Sequence, residues 1–73
     1  MDQFELTSEF IPLNALLKIM DWVPSGGVAN QLITDGQVQV NEAVELRKRR
    51  KLRGGDVVSF MGNQVQVLES TNA

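Results

Sequence analysis

Six of the chain's seven lysines and arginines fall in one stretch, Arg47-Lys48-Arg49-Arg50-Lys51-Leu52-Arg53. Residues of this type and spacing do electrostatic rather than covalent chemistry. Set against nine carboxylates and a net charge of −2, the cluster attracts a polyanion locally while the acidic remainder repels it elsewhere. That contrast favours a defined docking geometry over indiscriminate coating. A phosphate backbone is the polyanion that fits, and four arginines against two lysines favour planar, bidentate phosphate contacts. The plainer reading is a solvated loop or a disordered arm. Against it stand the strand-like segments on both sides of the run and Leu52 inside it, which reads as an anchor, so the charges are expected on a fixed loop.

Other chemistries find little support. With no His and no Cys, the chain lacks the usual transition-metal ligands, cannot form a disulfide and offers Ser25 no recognisable base. No paired-carboxylate or Walker-type spacing is present. The expectation is therefore no enzyme, no catalytic residue, no metal and no cofactor. Seventy-three residues suit a single small domain, 1–73, and a domain of this size buries only about 60 to 65% of the surface its unfolded chain exposes. No apolar stretch is long enough to span a membrane, and no charged start followed by an apolar block suggests a signal peptide. A cytoplasmic location is expected, and the absence of Cys agrees with a reducing compartment.

The elements that must position the basic run follow from periodicity. Phe4 and Leu6 alternate with polar neighbours and predict a short edge strand. Pro12 suits the first turn of a helix, and Leu13, Leu16, Leu17 and Met20 then recur at helical spacing, predicting an amphipathic helix near 12–21 that Pro24 stops. Ser25 suits the N-cap of a second helix, 25–35, with Val28, Ala29, Leu32 and Ile33 on one face and Gly36 at its end. The short connection predicts a helical hairpin with Trp22 packed at its corner. From Gly36 onward the period becomes two. Val38 and Val40 predict a strand, Asn41-Glu42 a turn, and Val44 and Leu46 a returning strand. After the basic run, Gly54-Gly55-Asp56 turns the chain, Val57 to Phe60 forms a strand, Gly62-Asn63 suits a hairpin turn, and Val65 and Val67 alternate in the last strand. A frayed tail is expected from Glu69. The expected core is Leu13, Leu16, Leu17, Leu32, Ile33, Val38, Val40 and Val57, and Phe4, Phe10 and Phe60 are assigned to it as well.

Ser25-Gly26-Gly27 is open to two readings. Glycines in a helix's first turn cost about 1 kcal/mol each against Ala and leave its free N–H groups uncovered, so that this end can receive a phosphate. On the residues alone the preferred reading is steric, with Gly27 permitting close contact with the first helix.

Taken together, Leu13-Asn14-Ala15-Leu16-Leu17-Lys18, Ser25-Gly26-Gly27-Val28-Ala29, Gly36-Gln37-Val38-Gln39-Val40-Asn41 and Gly55-Asp56-Val57-Val58 resemble the RNA-binding domain named after small-subunit ribosomal protein four. The resemblance covers roughly residues 11–60. Within that superfamily the chain is most similar to the free-standing bacterial YbcJ-like branch, in which the double Gly after Ser25 and the continuation Val44-Glu45-Leu46-Arg47-Lys48-Arg49-Arg50-Lys51-Leu52 are typical. The resemblance implies an α+β fold, the alpha-L motif, in which a two-helix hairpin packs on a small, mainly antiparallel curved sheet. It also implies binding of structured RNA. Where the wider family has basic side chains on the second helix, this chain has Gly27 and Asn30, and Gln39 stands where the branch often has Lys. The basic loop is thus left with most of the charge.

The resulting expectation is a non-catalytic, monomeric module that binds structured RNA with no role for a membrane. The site is Lys18, Ser25, Gly26, Gly27, Arg47, Lys48, Arg49, Arg50, Lys51 and Arg53. Ribosomal RNA, its precursors or transfer RNA are the classes implied, with ribosome association as one setting. Recognition by shape is expected, because an A-form duplex hides its base edges and the chain has no exposed aromatic series. The competing expectation is a protein-interaction adaptor whose basic loop docks an acidic partner.

Overall fold

The computed structural model describes residues 1–70. Its elements, in order, are β1 (Asp2–Glu5), β2 (Ile11–Pro12), α1 (Leu13–Ile19), α2 (Gly26–Thr34), β3 (Val38–Val40), β4 (Ala43–Val44), β5 (Lys51–Leu52), β6 (Val57–Phe60) and β7 (Asn63–Leu68). Five strands form one sheet in the order β1-β7-β6-β3-β4, and β2 and β5 pair separately. All pairings are antiparallel except β1 with β7. The expected α+β architecture is therefore present, with β1 as the predicted edge strand.

Alternation in the strands explains the core. Val38 and Val40 on β3, Val58 and Phe60 on β6, and Val65 and Val67 on β7 turn inward to meet Leu13, Leu16 and Leu17 of α1 and Ala29 and Ile33 of α2. Two expected core residues are displaced. Leu32 is only half-buried, and Val57 yields its place to Val58, because the β6 alternation runs in the opposite phase. Trp22 packs at the helical corner as predicted, stacked on Phe60 with ring centroids 6.3 Å apart.

Both helices close with the same device. At the end of α2, the N–H of Gly36 bonds to the carbonyl of Ile33 and that of Gln37 to Leu32, with Gly36 at φ 80°. This is the Schellman arrangement, and Gly supplies its left-handed residue. At the end of α1, Asp21 donates to Lys18 and Trp22 to Leu17, with Asp21 at φ 63°. The predicted stop at Pro24 is thus corrected: α1 ends at Ile19 because Asp21 turns left-handed. Pro12 also stands one residue earlier than expected, extended at the N-cap of α1 (φ −64°, ψ 144°).

The turn at Asn41-Glu42 is as predicted, both residues at positive φ. The last hairpin turns at Met61-Gly62, one residue before the predicted Gly62-Asn63, since Asn63 already pairs with Phe60. Of the tail expected from Glu69, that residue lies against Gly54, where an added Cβ would come within 2.9 Å of the Glu69 backbone N. Residues 71–73 lie outside the described residues.

Candidate nucleic-acid interface

The basic run begins where β4 stops. The strand expected to continue through Leu46 ends at Val44, and the inward side chain is Glu45, 7% exposed, while Val44 and Leu46 are 55% and 58% exposed. An isolated buried carboxylate would be costly. Glu45 is satisfied by its own chain: Oε2 accepts from the backbone N–H (2.9 Å) and Nε (3.0 Å) of Arg47. Its Oε1 accepts from Arg47 Nη2 (3.0 Å) and Arg50 Nη1 (2.8 Å). The Arg47 side-chain hydrogen bonds, joined by its N–H and by Arg50, hold the Glu45 carboxyl down to about 2 against a desolvation that pushes it up. In turn Glu45 raises the Arg47 guanidinium pKa, through its hydrogen bond and then its charge.

Between these two arginines the chain makes a turn in which the N–H of Arg50 bonds to the Arg47 carbonyl at 3.3 Å. Lys48 and Arg49 are its central residues, both exposed and without an ion pair among the described residues. The turn's backbone is also occupied. Pro12 provides no side-chain cap for α1, and the first N–H groups of that helix, from Leu13 and Asn14, bond to the carbonyls of Arg50 (2.8 Å) and Lys48 (3.0 Å). The basic turn therefore caps α1, so its charges stand on an anchored backbone. Leu52 completes the anchor: fully buried, it pairs across from Ile11.

On either side of Leu52, the third pair of cations shares an aromatic ring. Lys51 Nζ lies 5.0 Å and Arg53 Cζ 5.7 Å from the ring centre of Phe10, within cation–π range. Phe10 is consequently not the core residue expected; it is half-buried beside the basic run, whereas Phe60 is buried and Phe4 packs against the core. The Arg53 backbone is fixed as well, its N–H donating to Asp56 Oδ2, while Asp56 Oδ1 accepts from Asn41.

The remaining expected site residues lie along the helices. Asn14 Nδ2 donates to Asn30 Oδ1 at 2.9 Å, tying α1 to α2. Lys18 follows Asn14 by one turn of α1, and the start of α2 precedes Asn30 by one turn. Ser25 is the predicted N-cap, its hydroxyl accepting from Val28 N–H. This leaves the N–H groups of Gly26 and Gly27 without a partner among the described residues. A Cβ on Gly27 would meet only Ser25 Oγ, at 3.9 Å, and one on Gly26 nothing within 4 Å. The reading of Gly27 as a contact point for the first helix is therefore overturned. The six cations are thus brought together in three pairs on one anchored segment, and no hydrogen bond or ion pair among the described residues links Lys18 or Ser25 to Gly27 with them. Sequence reasoning missed Glu45, Phe10 and the capping carbonyls. For Glu45 a signal existed, a carboxylate two residues before the run; the carbonyls left none.

No cluster of three or more metal-ligating side chains occurs among the described residues, and none of their helices is long and apolar enough to cross a membrane. The family model described as S4 domain matches residues 4–68. YbcJ of Escherichia coli (strain K12) is 48% identical over 58 residues, which span 80% of this chain and 83% of YbcJ. RlbA of Bacillus subtilis (strain 168), named "Probable ribosome maturation protein", is 39% identical over 57 residues, 78% of this chain and 80% of RlbA. The solution structure of YbcJ from E. coli, described as revealing an alpha-L motif involved in RNA binding, is similar with a TM-score of 0.71 and 45% identity. The likeness covers 93% of this chain and 87% of that one.

Proposed function

The chain belongs to the S4 domain family and has the alpha-L fold, and from that premise we propose that it is a non-catalytic module for structured RNA, with residues 1–73 acting as one binding domain. The observation that carries this reading is the pair Lys48 and Arg49, exposed at the tip of a turn whose carbonyls cap α1 and whose flanks are held by Glu45 and Leu52. Cations on an ordered backbone lose less entropy when they meet phosphates than cations on a loose arm. Lys51 and Arg53 extend the row, and Arg47 and Arg50 brace it. Lys18 and the N–H groups of Gly26 and Gly27 serve as a second, weaker phosphate contact.

Shape is what such a surface reads. The arrangement suits the phosphate backbone of A-form RNA, whose deep, narrow major groove keeps its base edges out of reach of side chains. Ribosomal RNA, its precursors or transfer RNA are the substrate classes, and the name of RlbA favours a ribosomal setting. The protein acts as a monomer in the cytoplasm, with no membrane. The test is equilibrium binding at fixed salt to a hairpin RNA, an unpaired RNA of equal length and poly-glutamate. Preference for the hairpin supports the reading; equal or tighter binding of poly-glutamate overturns it in favour of an adaptor for acidic proteins.

A further inference from the structure

Phe10, the aromatic ring that the core does not take, directly follows one wall of a cleft and backs the Arg53 guanidinium on the other. The cleft, about 450 Å³, lies between the β1–β2 connection and the turn after β5, with Thr7, Ser8 and Glu9 on one wall, Arg53 on the other and Glu69 closing it. Its volume falls in the range that holds one small organic ligand. Its chemistry is divided. Arg53, held over Phe10, places a cation and a flat guanidinium at one side, while two carboxylates and the hydroxyl residues Thr7, Ser8 and Ser70 line the rest; Ser8 donates to the Phe10 carbonyl and keeps its lone pairs for a donor.

A free phosphate or an acidic metabolite would be repelled by Glu9 and Glu69. A nucleotide fits both sides: its phosphate meets Arg53, its ribose hydroxyls and exocyclic amines donate to the carboxylates and hydroxyls, and its base stacks on the guanidinium that Phe10 backs. Arg53 is also the last cation of the basic run, so the cleft adjoins the segment that carries Lys48 and Arg49. We propose that the cleft binds one unpaired nucleotide adjoining the helical RNA, an inference that rests on the reading of the basic run as an RNA-docking surface. Phe10 acts here as the residue that favours a duplex with a single-stranded extension over a blunt one.

The test compares a blunt hairpin RNA with hairpins carrying a short extension at the 5′ or the 3′ end. Base stacking on such platforms supports a gain of about 5- to 100-fold for one of the two extensions. In Phe10→Leu the ratio of extended to blunt affinity is expected to fall near one, and using the ratio cancels any general effect on the basic run. A readout free of substitutions is photocrosslinking of wild-type protein to 4-thiouridine in the extension, with crosslinks expected within residues 6–10, 53–54 or 69–70. A wild-type ratio near one, or crosslinks elsewhere, with the blunt hairpin still bound, overturns the cleft alone. Failure to bind any hairpin overturns the RNA reading and the cleft with it.

Discussion

Glu45 governs the interface through two arginines at once, because one buried carboxylate sets the positions of Arg47 and Arg50 and thereby the turn between them. Glu45→Gln keeps the volume and loses the charge, and hydrogen bonds to charged groups contribute about 1.5 to 3 kcal/mol. The expected loss at pH 7 is of that size. It should shrink on acidification: the folded-state pKa is depressed from 4.5 to about 2, so the wild type's advantage is present above pH 4.5 and lost as pH falls toward 2. Urea unfolding of both proteins between pH 7 and pH 2.5 measures this, and a gap independent of pH contradicts the role given to Glu45. Reversing the charge of Arg50 would set two carboxylates against each other, so charge substitutions belong at Lys48 and Arg49. Gly27 yields an opposite expectation. Since its added Cβ meets only Ser25 Oγ, Gly27→Ala should stabilise the fold by about 0.5 to 1 kcal/mol. If the Gly27 N–H receives phosphate, RNA affinity should nevertheless fall in binding measured well below the melting temperature. Unchanged affinity removes this helix end from the interface.

At the scale of elements, the short pairing of β2 with β5 fastens the basic turn to α1. Leu52→Ala opens a cavity at a fully buried site and should cost about 2 to 5 kcal/mol. Hydrogen exchange gives a sharper check, since the Leu13 and Asn14 amides, which bond to the carbonyls of Arg50 and Lys48, should exchange faster in this variant than amides within α2. Uniform acceleration would mean that the turn is not a separately anchored unit. Asp21→Gly should raise stability by roughly 0.5 to 1 kcal/mol, because Gly accepts the left-handed conformation without the Cβ penalty; an unfolding midpoint that drops contradicts that account of how α1 ends. These elements also separate what local pattern discloses from what it hides. Ser25 as a cap, Gly36 as a stop and Val57–Phe60 as a strand are written in neighbouring residues. The end of α1 was not, since Asp is tolerated at positive φ far less often than Gly and Pro24 was the louder signal. The phase of the strand after Asn41-Glu42 is hidden for a different reason: its alternation is carried by apolar Val44 and Leu46, but the ion pairs of Glu45 make the charged residue the buried one. Cations were legible as a group, whereas their sorting onto Glu45, the turn tip and Phe10 depends on tertiary contacts that no local pattern records.

For the whole molecule, the decisive property is polarity of charge. An acidic body carries one anchored basic edge, so association with a polyanion should be oriented, fast and strongly dependent on ionic strength. Within the basic run, Lys48, Arg49, Lys51 and Arg53 are the exposed cations not committed to Glu45. If these four supply the phosphate contacts, each contributes about 0.7 to 0.9 to the slope of log affinity against log salt. The most direct measurement is therefore the salt dependence of hairpin RNA binding by the wild type and by Lys48→Gln with Arg49→Gln, with circular dichroism reporting that both are folded. The expected slope is roughly −3 for the wild type and flatter by about 1.4 to 1.8 for the double variant. A wild-type affinity that does not change with salt, or an identical slope in the folded double variant, would contradict docking of RNA through the basic turn.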